Sequence, residues 1–431
     1  MRLPRAAILV LLLVSYPVIH AERLYAEGRK PLAKWTCILY LAGDNFLDWF
    51  TLQNLEDLKG VGSGHDVRTI VLADRTDRGG HLYEVRKDYL VDIPMEAVRP
   101  EWKGYEPNTG DPETLSTFAS WAVENLPAEN YFILLGGYGE GWMGLLHDFD
   151  NGKGGGKTDI LTIAEMEDAL ANITKSIKNT NGKDFIDILG LDACYMGMVE
   201  VLYQIGDKAR YVIVSENEEV LGGWPYDKAI TAFTRNPSQP ALELAASVVD
   251  AYIDQAKGKK AEKKANIRTA SVIDMQAFKG LIPPLRDLAT ELTGMLPLEI
   301  RKMIVTDRLT NTFNVSAHIA GRYVPYSIHY DLGEFLKAVG FTFSDGYPSV
   351  CAKVERAMKA LDKAVVKERH QEVADRRLAL SGLTIYSMGA EIEDYGNLPF
   401  SKETRWAGLV EAKQRPLEEA MGKFTKKSKK K

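Results

Sequence analysis

The sequence predicts an α/β protein built on a mostly parallel sheet. Two observations carry this. Short apolar runs at 34–41, 67–73, 131–135, 185–191 and 210–215 have the length and the Val, Ile and Leu content of buried strands. Between them lie stretches with helical spacing, which is the pattern of βαβ units. At 431 residues the chain has room for one large domain or two ordinary ones.

In order, residues 34–41 form the first strand, 42–45 its turn and 47–58 a helix. Residues 67–73 are a second strand; 75–80 are a polar turn, and the segment to Ile93 has the pattern of a hairpin. Asp111 is placed to cap a helix that runs to about Leu126, with Leu115, Phe118, Trp121 and Ala122 on one face. Residues 131–135 are a third strand, followed by a glycine-rich turn and the loop 148–158. A helix spans 163–177, and 185–191 is a buried strand. Gly190, Asp192 and Ala193 give it a small, turn-prone exit; Met196, Val199, Leu202 and Ile205 then have helical spacing. Residues 210–215 and 268–273 read as further strands, with an amphipathic helix at 240–257 between them. From 274 to 370 the pattern is mainly helical, broken by Pro283-Pro284 and Pro297, and 383–386 returns to strand.

Residues 1–21 read as a signal peptide. Arg2 and Arg5 form a positive start, 6–14 are an apolar run too short to span a bilayer, and Ala21 suits the last residue before cleavage. This predicts a secreted or periplasmic protein with no stable membrane insertion. The α/β domain is expected over 22–256, a basic connector over 257–268, a C-terminal part over 269–422 and a disordered, lysine-rich tail over 423–431. The formal net charge of −5 gives no reason to expect nucleic acid as a partner. Of the three cysteines, Cys37 and Cys351 read as structural, and the odd number leaves at least one free thiol.

Cys194 is different. It lies where a strand ends and a helix is expected to begin, a place where backbone amides lower a thiol pKa and receive an oxyanion. Two readings fit the stretch alone: a nucleophile, or a buried structural cysteine.

The run 187–197, D-x-x-G-x-D-A-C-x-M-G, resembles the nucleophile segment of the clostripain family of cysteine peptidases. Four further stretches resemble family segments: 35–48 the first strand and its acidic turn, 161–170 the helix before the nucleophile strand, 215–226 the specificity segment, and 382–386 with 395–406 the C-terminal part. The resemblance implies a caspase-like α/β fold with a largely helical C-terminal extension and a Cys-His dyad. It implies Cys194 as nucleophile, the Gly139 and Cys194 amides as oxyanion donors, and Asp192, with Asp227, as an acidic pocket for a substrate Arg or Lys. It allows Ca²⁺ and no other cofactor. The loop 148–159 is a poor match to a calcium loop and reads as a solvated polar loop, so no metal ligand is assigned.

The sequence departs from the family at one position. In the family the histidine opens a His-Gly-x-Gly-Trp motif; here the glycines and tryptophan match at Gly139, Gly141 and Trp142, and Tyr138 stands at the histidine position. A phenol, with a pKa near 10, cannot take a thiol proton as imidazole, near 6.5, can. His147, His81, His318 and His329 are the alternatives for a base, with a loop or core role as the simpler reading of each. Two functions from different classes follow: an endopeptidase for Arg or Lys sites, or an inactive pseudopeptidase that binds peptides or a partner protein. The connector 257–268 is a solvated loop or, in an active enzyme, a self-processing site.

Overall fold

The computed structural model describes residues 32–76, 79–104, 106–149, 158–257, 267–310, 312–319, 322–372, 379–389 and 391–414. The expected signal peptide, the lysine-rich tail, most of the loop after Asp148 and most of the basic connector lie outside them.

The chain opens with β1 (Ala33–Gly43), α1 (Asp48–Leu58), β2 (Val67–Arg75) and the hairpin of β3 (His81–Arg86) and β4 (Tyr89–Ile93). Then come α2 (Pro112–Asn125), β5 (Ala128–Gly136) and the short strands β6 (Leu145–Asp148) and β7 (Asp159–Leu161). These lead to α3 (Ile163–Asn181), β8 (Ile186–Asp192), α4 (Val199–Ile205) and β9 (Ala209–Val214). As the sequence predicts, Asp111 caps α2, its carboxylate accepting from the Glu113 amide.

The strands assemble in the order β13-β10-β9-β8-β5-β1-β2-β3-β4. The central five, β9 to β2, are parallel. The chain leaves β1 toward β2, then returns to build β5, β8 and β9 on the other side. The boundary between β1 and β5 is therefore the switch point, where ligands settle outside the carboxyl ends of strands. Strand alternation divides the core. Trp35, Cys37, Leu39 and Leu41 pack on one face, with Trp224 and Phe233. Ile38, Tyr40 and Ala42 pack on the other, with Phe118 and Met166.

Beyond β9 follow α5 (Tyr226–Arg235), α6 (Ala241–Asp254) and β10 (Thr269–Asp274), which pairs antiparallel to β9. The rest is less helical than the sequence predicts. After α7 (Ile282–Leu309), strands β11 (Thr312–Ile319) and β12 (Arg322–Asp331) pair antiparallel. Two more helices follow, α8 (Leu332–Thr342) and α9 (Pro348–Ala364). Strand β13 (Val365–His370) joins the edge of the main sheet against β10, and β14 (Thr384–Gly389) pairs with β12. Pro325 lies within β12, next to a register shift, which is where a strand tolerates a residue without an N–H. Pro283 and Pro284 do not break a helix; they occupy the first turn of α7, where the missing N–H is harmless. Pro297 does precede a kink, at Glu299.

Candidate active site

Three parallel strands end at one cleft. It is lined by Leu41 and Ala42 of β1, Gly136, Gly137 and Tyr138 at the end of β5, and Asp192 and Cys194 at the end of β8. Leu47, Phe50, Thr51 and Asn54 of α1 and its approach form one wall, and residues 218–223 with Tyr226 form the opposite one. The ends of β5 and β8 are held in register by Gly136 opposite Asp192, and the Gly137 amide donates to the Asp192 carbonyl at 3.2 Å.

Cys194 does not sit at a helix N-terminus. Helix α4 begins only at Val199, and the residues between form a turn of their own. Tyr195 has φ of +63°, a left-handed conformation that is costly for a residue with a Cβ. Its amide donates to the Asn217 carbonyl at 3.1 Å, and the Gly197 amide donates to the Ser215 carbonyl at 2.7 Å. The turn is thus sewn to the segment after β9 and not to its own helix. Gly139 backs it from the other side: a Cβ there would lie 2.7 Å from the Cys194 nitrogen, so only glycine allows this approach.

The thiol is half-buried, and its Sγ accepts from the Glu219 amide at 3.2 Å. Burial pushes its pKa up to about 12; the Glu219 amide pulls it down, and the nearby carboxyls of Glu219, Glu218 and Asp192 push it further up. The thiol is therefore held in its protonated form at neutral pH.

Tyr138 lines the cleft beside it, its own pKa raised by burial and by Cys194 and Glu218. His147, on β6, packs edge-on against Tyr138, with ring centres 6.0 Å apart. Its Nε2 stands 3.7 Å from Glu140 Oε1, too far for a hydrogen bond. Burial lowers its pKa, partly opposed by Glu140. His329 is fully buried in β12, against Tyr195, with Nε2 2.9 Å from Ser327 Oγ, and burial holds its pKa down to about 3. His81 stacks on Tyr83 in β3, and His318 falls in β11. Among the described residues lining the cleft there is no histidine.

At the floor lies a pair of acids. Asp192 Oδ2 accepts from the Trp224 amide at 3.2 Å and from Tyr226 Oη at 2.7 Å; its Oδ1 has no hydrogen-bond partner. Glu219 Oε1 accepts from Trp224 Nε1 at 3.1 Å, and Oε2 has no hydrogen-bond partner. The two carboxyls meet, and both pKa values are raised, first by burial. Two such groups in contact cannot both ionise in an empty pocket. Gly223 makes room for them: at φ of +59°, a Cβ there would stand 2.5 Å from Asp192 Oδ2.

The acid beside Asp192 in the cleft is Glu219. Asp227 lies in the first turn of α5 and is not among the residues lining the cleft. In sequence Glu219 reads as an exposed loop charge. The signal that could have found it is Trp224, whose indole N–H needs an acceptor once buried. Glu216, read the same way, is fully buried, in contact with Asp331. Glu218 is exposed.

The described ends of the loop 148–159 already have protein donors. Asp148 Oδ2 accepts from the Thr109 amide and Asp159 Oδ2 from Asn108 Nδ2, both at 2.7 Å. Among the described residues no group of three or more His, Cys, Asp or Glu side chains could hold a metal ion, and no calcium site is assigned. No helix of the described residues is long and apolar enough to cross a membrane. Cys37, Cys194 and Cys351 are all free thiols.

A thiol and a glycine-backed turn at the carboxyl ends of parallel strands, inside helices on both faces, define the class: an α/β protein with the architecture of a caspase-like cysteine peptidase. The family model described as "Clostripain family" matches residues 39–412, and the chain belongs to the clostripain family of cysteine peptidases. It is 27% identical over 226 residues to clostripain of Hathewaya histolytica, a match that covers 45% of this chain and 41% of that protein, about two fifths of the relative's length. Two solved structures share the fold. One is an inactive zymogen of a C11 protease from Parabacteroides distasonis, with a TM-score of 0.61 and 17% identity over 87% of this chain and 99% of that one. The other is a secreted C11 cysteine protease from Bacteroides thetaiotaomicron bound to an irreversible peptide inhibitor, with a TM-score of 0.59 and 19% identity over 86% of this chain and 99% of that one.

Proposed function

We propose that this chain is a secreted clostripain-family protein that binds peptides through an arginine or lysine side chain and cleaves them slowly or not at all. The observation that carries this reading is the pairing of Cys194 with a phenol, Tyr138, in a cleft whose described lining holds no imidazole. Attack on a peptide carbonyl needs the thiol proton removed and the leaving amine protonated. Tyr138 does neither well at neutral pH, because its pKa is raised above that of an ordinary phenol. Loss of general acid-base help typically costs about 10² to 10⁴ in rate. The Gly139 and Cys194 amides are the proposed oxyanion donors; they would act on the transition state and do not replace the missing base.

The basic preference is supported by Asp192 and Glu219. A guanidinium or ammonium group at the floor would pair with the carboxyls of Asp192 and Glu219, which otherwise contact each other. Charge-assisted pairs of that kind are strong, and bidentate for arginine. Secretion is supported by the charged start and short apolar run of residues 1–21, and a mature chain should begin near Glu22.

The test compares wild type, Tyr138→His and Cys194→Ala on one basic amide substrate and on binding of the matched peptide. The expected result is binding by all three, with wild-type turnover near background and a rise of about 10²-fold in Tyr138→His. Robust wild-type turnover that Cys194→Ala abolishes would overturn the reading. It would move the base to another residue, with His147 the first to examine.

A further inference from the structure

The cleft does not end in a polar rim. Phe50 lines it from α1, and its ring lies 3.5 Å from where a Cβ would stand on Gly222 of the opposite wall. Trp49 packs edge-on against Phe50, with ring centres 5.2 Å apart, and is 63% exposed; Leu221, lining the opposite wall, is 71% exposed. Large apolar side chains this exposed are scattered singly on most surfaces; a contiguous group marks a binding site.

We propose that Trp49, Phe50 and Leu221 form a second subsite, which takes a bulky apolar side chain within two residues of the basic residue held by Asp192 and Glu219. The occupant is a peptide, because the margin is continuous with the cleft. An extended chain advances about 3.3 Å per residue, so the residues flanking an anchored side chain must pass over this margin. The proposal rests on the peptide-binding reading above and narrows its substrate class to basic residues with an apolar neighbour.

The experiment uses the full Cys194→Ala chain and labelled peptides with a fixed lysine, varying Phe, Leu, Ser or Asp at each of the two positions before and after it. Phe or Leu at one flanking position should tighten binding about tenfold over Ser, in line with partial burial of one such side chain. Trp49→Ala with Leu221→Ser should reduce that preference to less than twofold, while Phe341→Ser, an exposed aromatic change in α8, leaves it intact. Equal binding of Phe and Ser peptides at all four positions would overturn the proposal, as would a preference that survives the Trp49 and Leu221 changes. Self-association that the same changes abolish, with a flat peptide profile, would assign the margin to a second copy and also overturn it. A parallel peptide with norleucine for lysine tests the acidic floor separately. If that exchange costs nothing, the basic-peptide reading fails, and the apolar preference stands or falls on its own comparison.

Discussion

Asp192 and Glu219 share a floor that is uncharged or singly charged when empty, since burial and their contact raise both pKa values. A cationic side chain reverses the balance and favours both carboxylates. Binding should therefore release protons, and affinity for an arginine peptide should rise with pH from the ordinary carboxylate range upward. Calorimetry in two buffers of different ionisation heat would read this directly; a heat independent of buffer would refute it. Asp192→Ala should remove the preference for Arg and Lys over Leu and Asp, and an unchanged ranking would show that the floor does not read charge. The position of Asp192 and Cys194 at the end of a buried strand was legible from residue type and spacing. Glu219 was not, because its burial depends on a loop that folds back to place its amide on Cys194 Sγ and its carboxylate on Trp224.

At the level of elements, the turn after β8 depends on Gly139 behind it. Gly139→Ala would drive a Cβ into the Cys194 backbone and should cost about 1–3 kcal/mol, with the thiol displaced. Thermal unfolding and the alkylation rate of Cys194 would both register the change, and an unaltered pair of values would mean that the turn yields freely. The sequence pattern placed the helix too early here. Helical spacing from Met196 is real, but the left-handed Tyr195 and the bonds to residues 215 and 217 delay the first turn to Val199. Helix α4 is tied in turn to the C-terminal part. Buried Glu200 accepts from the Tyr386 amide at 3.0 Å and from Tyr395 Oη at 2.7 Å. Burial raises its pKa from 4.5 to about 7 against those bonds. A carboxyl with a raised folded pKa holds its proton more tightly in the folded chain. Its contribution is thus fully present below about pH 4.5 and is lost as pH rises to about 7, roughly 3 kcal/mol in all. The stability difference between wild type and Glu200→Gln should shift toward the variant between pH 5 and pH 8; a constant difference would show that Glu200 does not titrate there.

Across the whole molecule, the residues after the basic connector do not form a separate body. Strands β10 and β13 extend the main sheet, the Thr384 amide donates to the Gly197 carbonyl at 2.8 Å, and Tyr395 Oη donates to Glu200 Oε1 at 2.7 Å. A specific protease site placed within 258–266 and cut should leave both pieces co-eluting in native size exclusion. Separation without denaturant would show that the β9–β10 pairing does not hold them. The parallel core was legible because its strands are apolar runs between helices with clear periodicity. In the antiparallel sheet the strand at 383–386 was legible, and β11 and β12 were not. Those two adjoin in sequence, but polar residues and Pro325 interrupt their apolar pattern, and the helices around them dominate it.

The high thiol pKa of Cys194 has one more effect. Peroxides attack thiolates, and susceptibility follows thiolate fraction and exposure. A half-buried sulfur whose pKa is raised by burial is a poor substrate for that chemistry. Cys194 should therefore outlast an exposed cysteine of ordinary pKa in hydrogen peroxide.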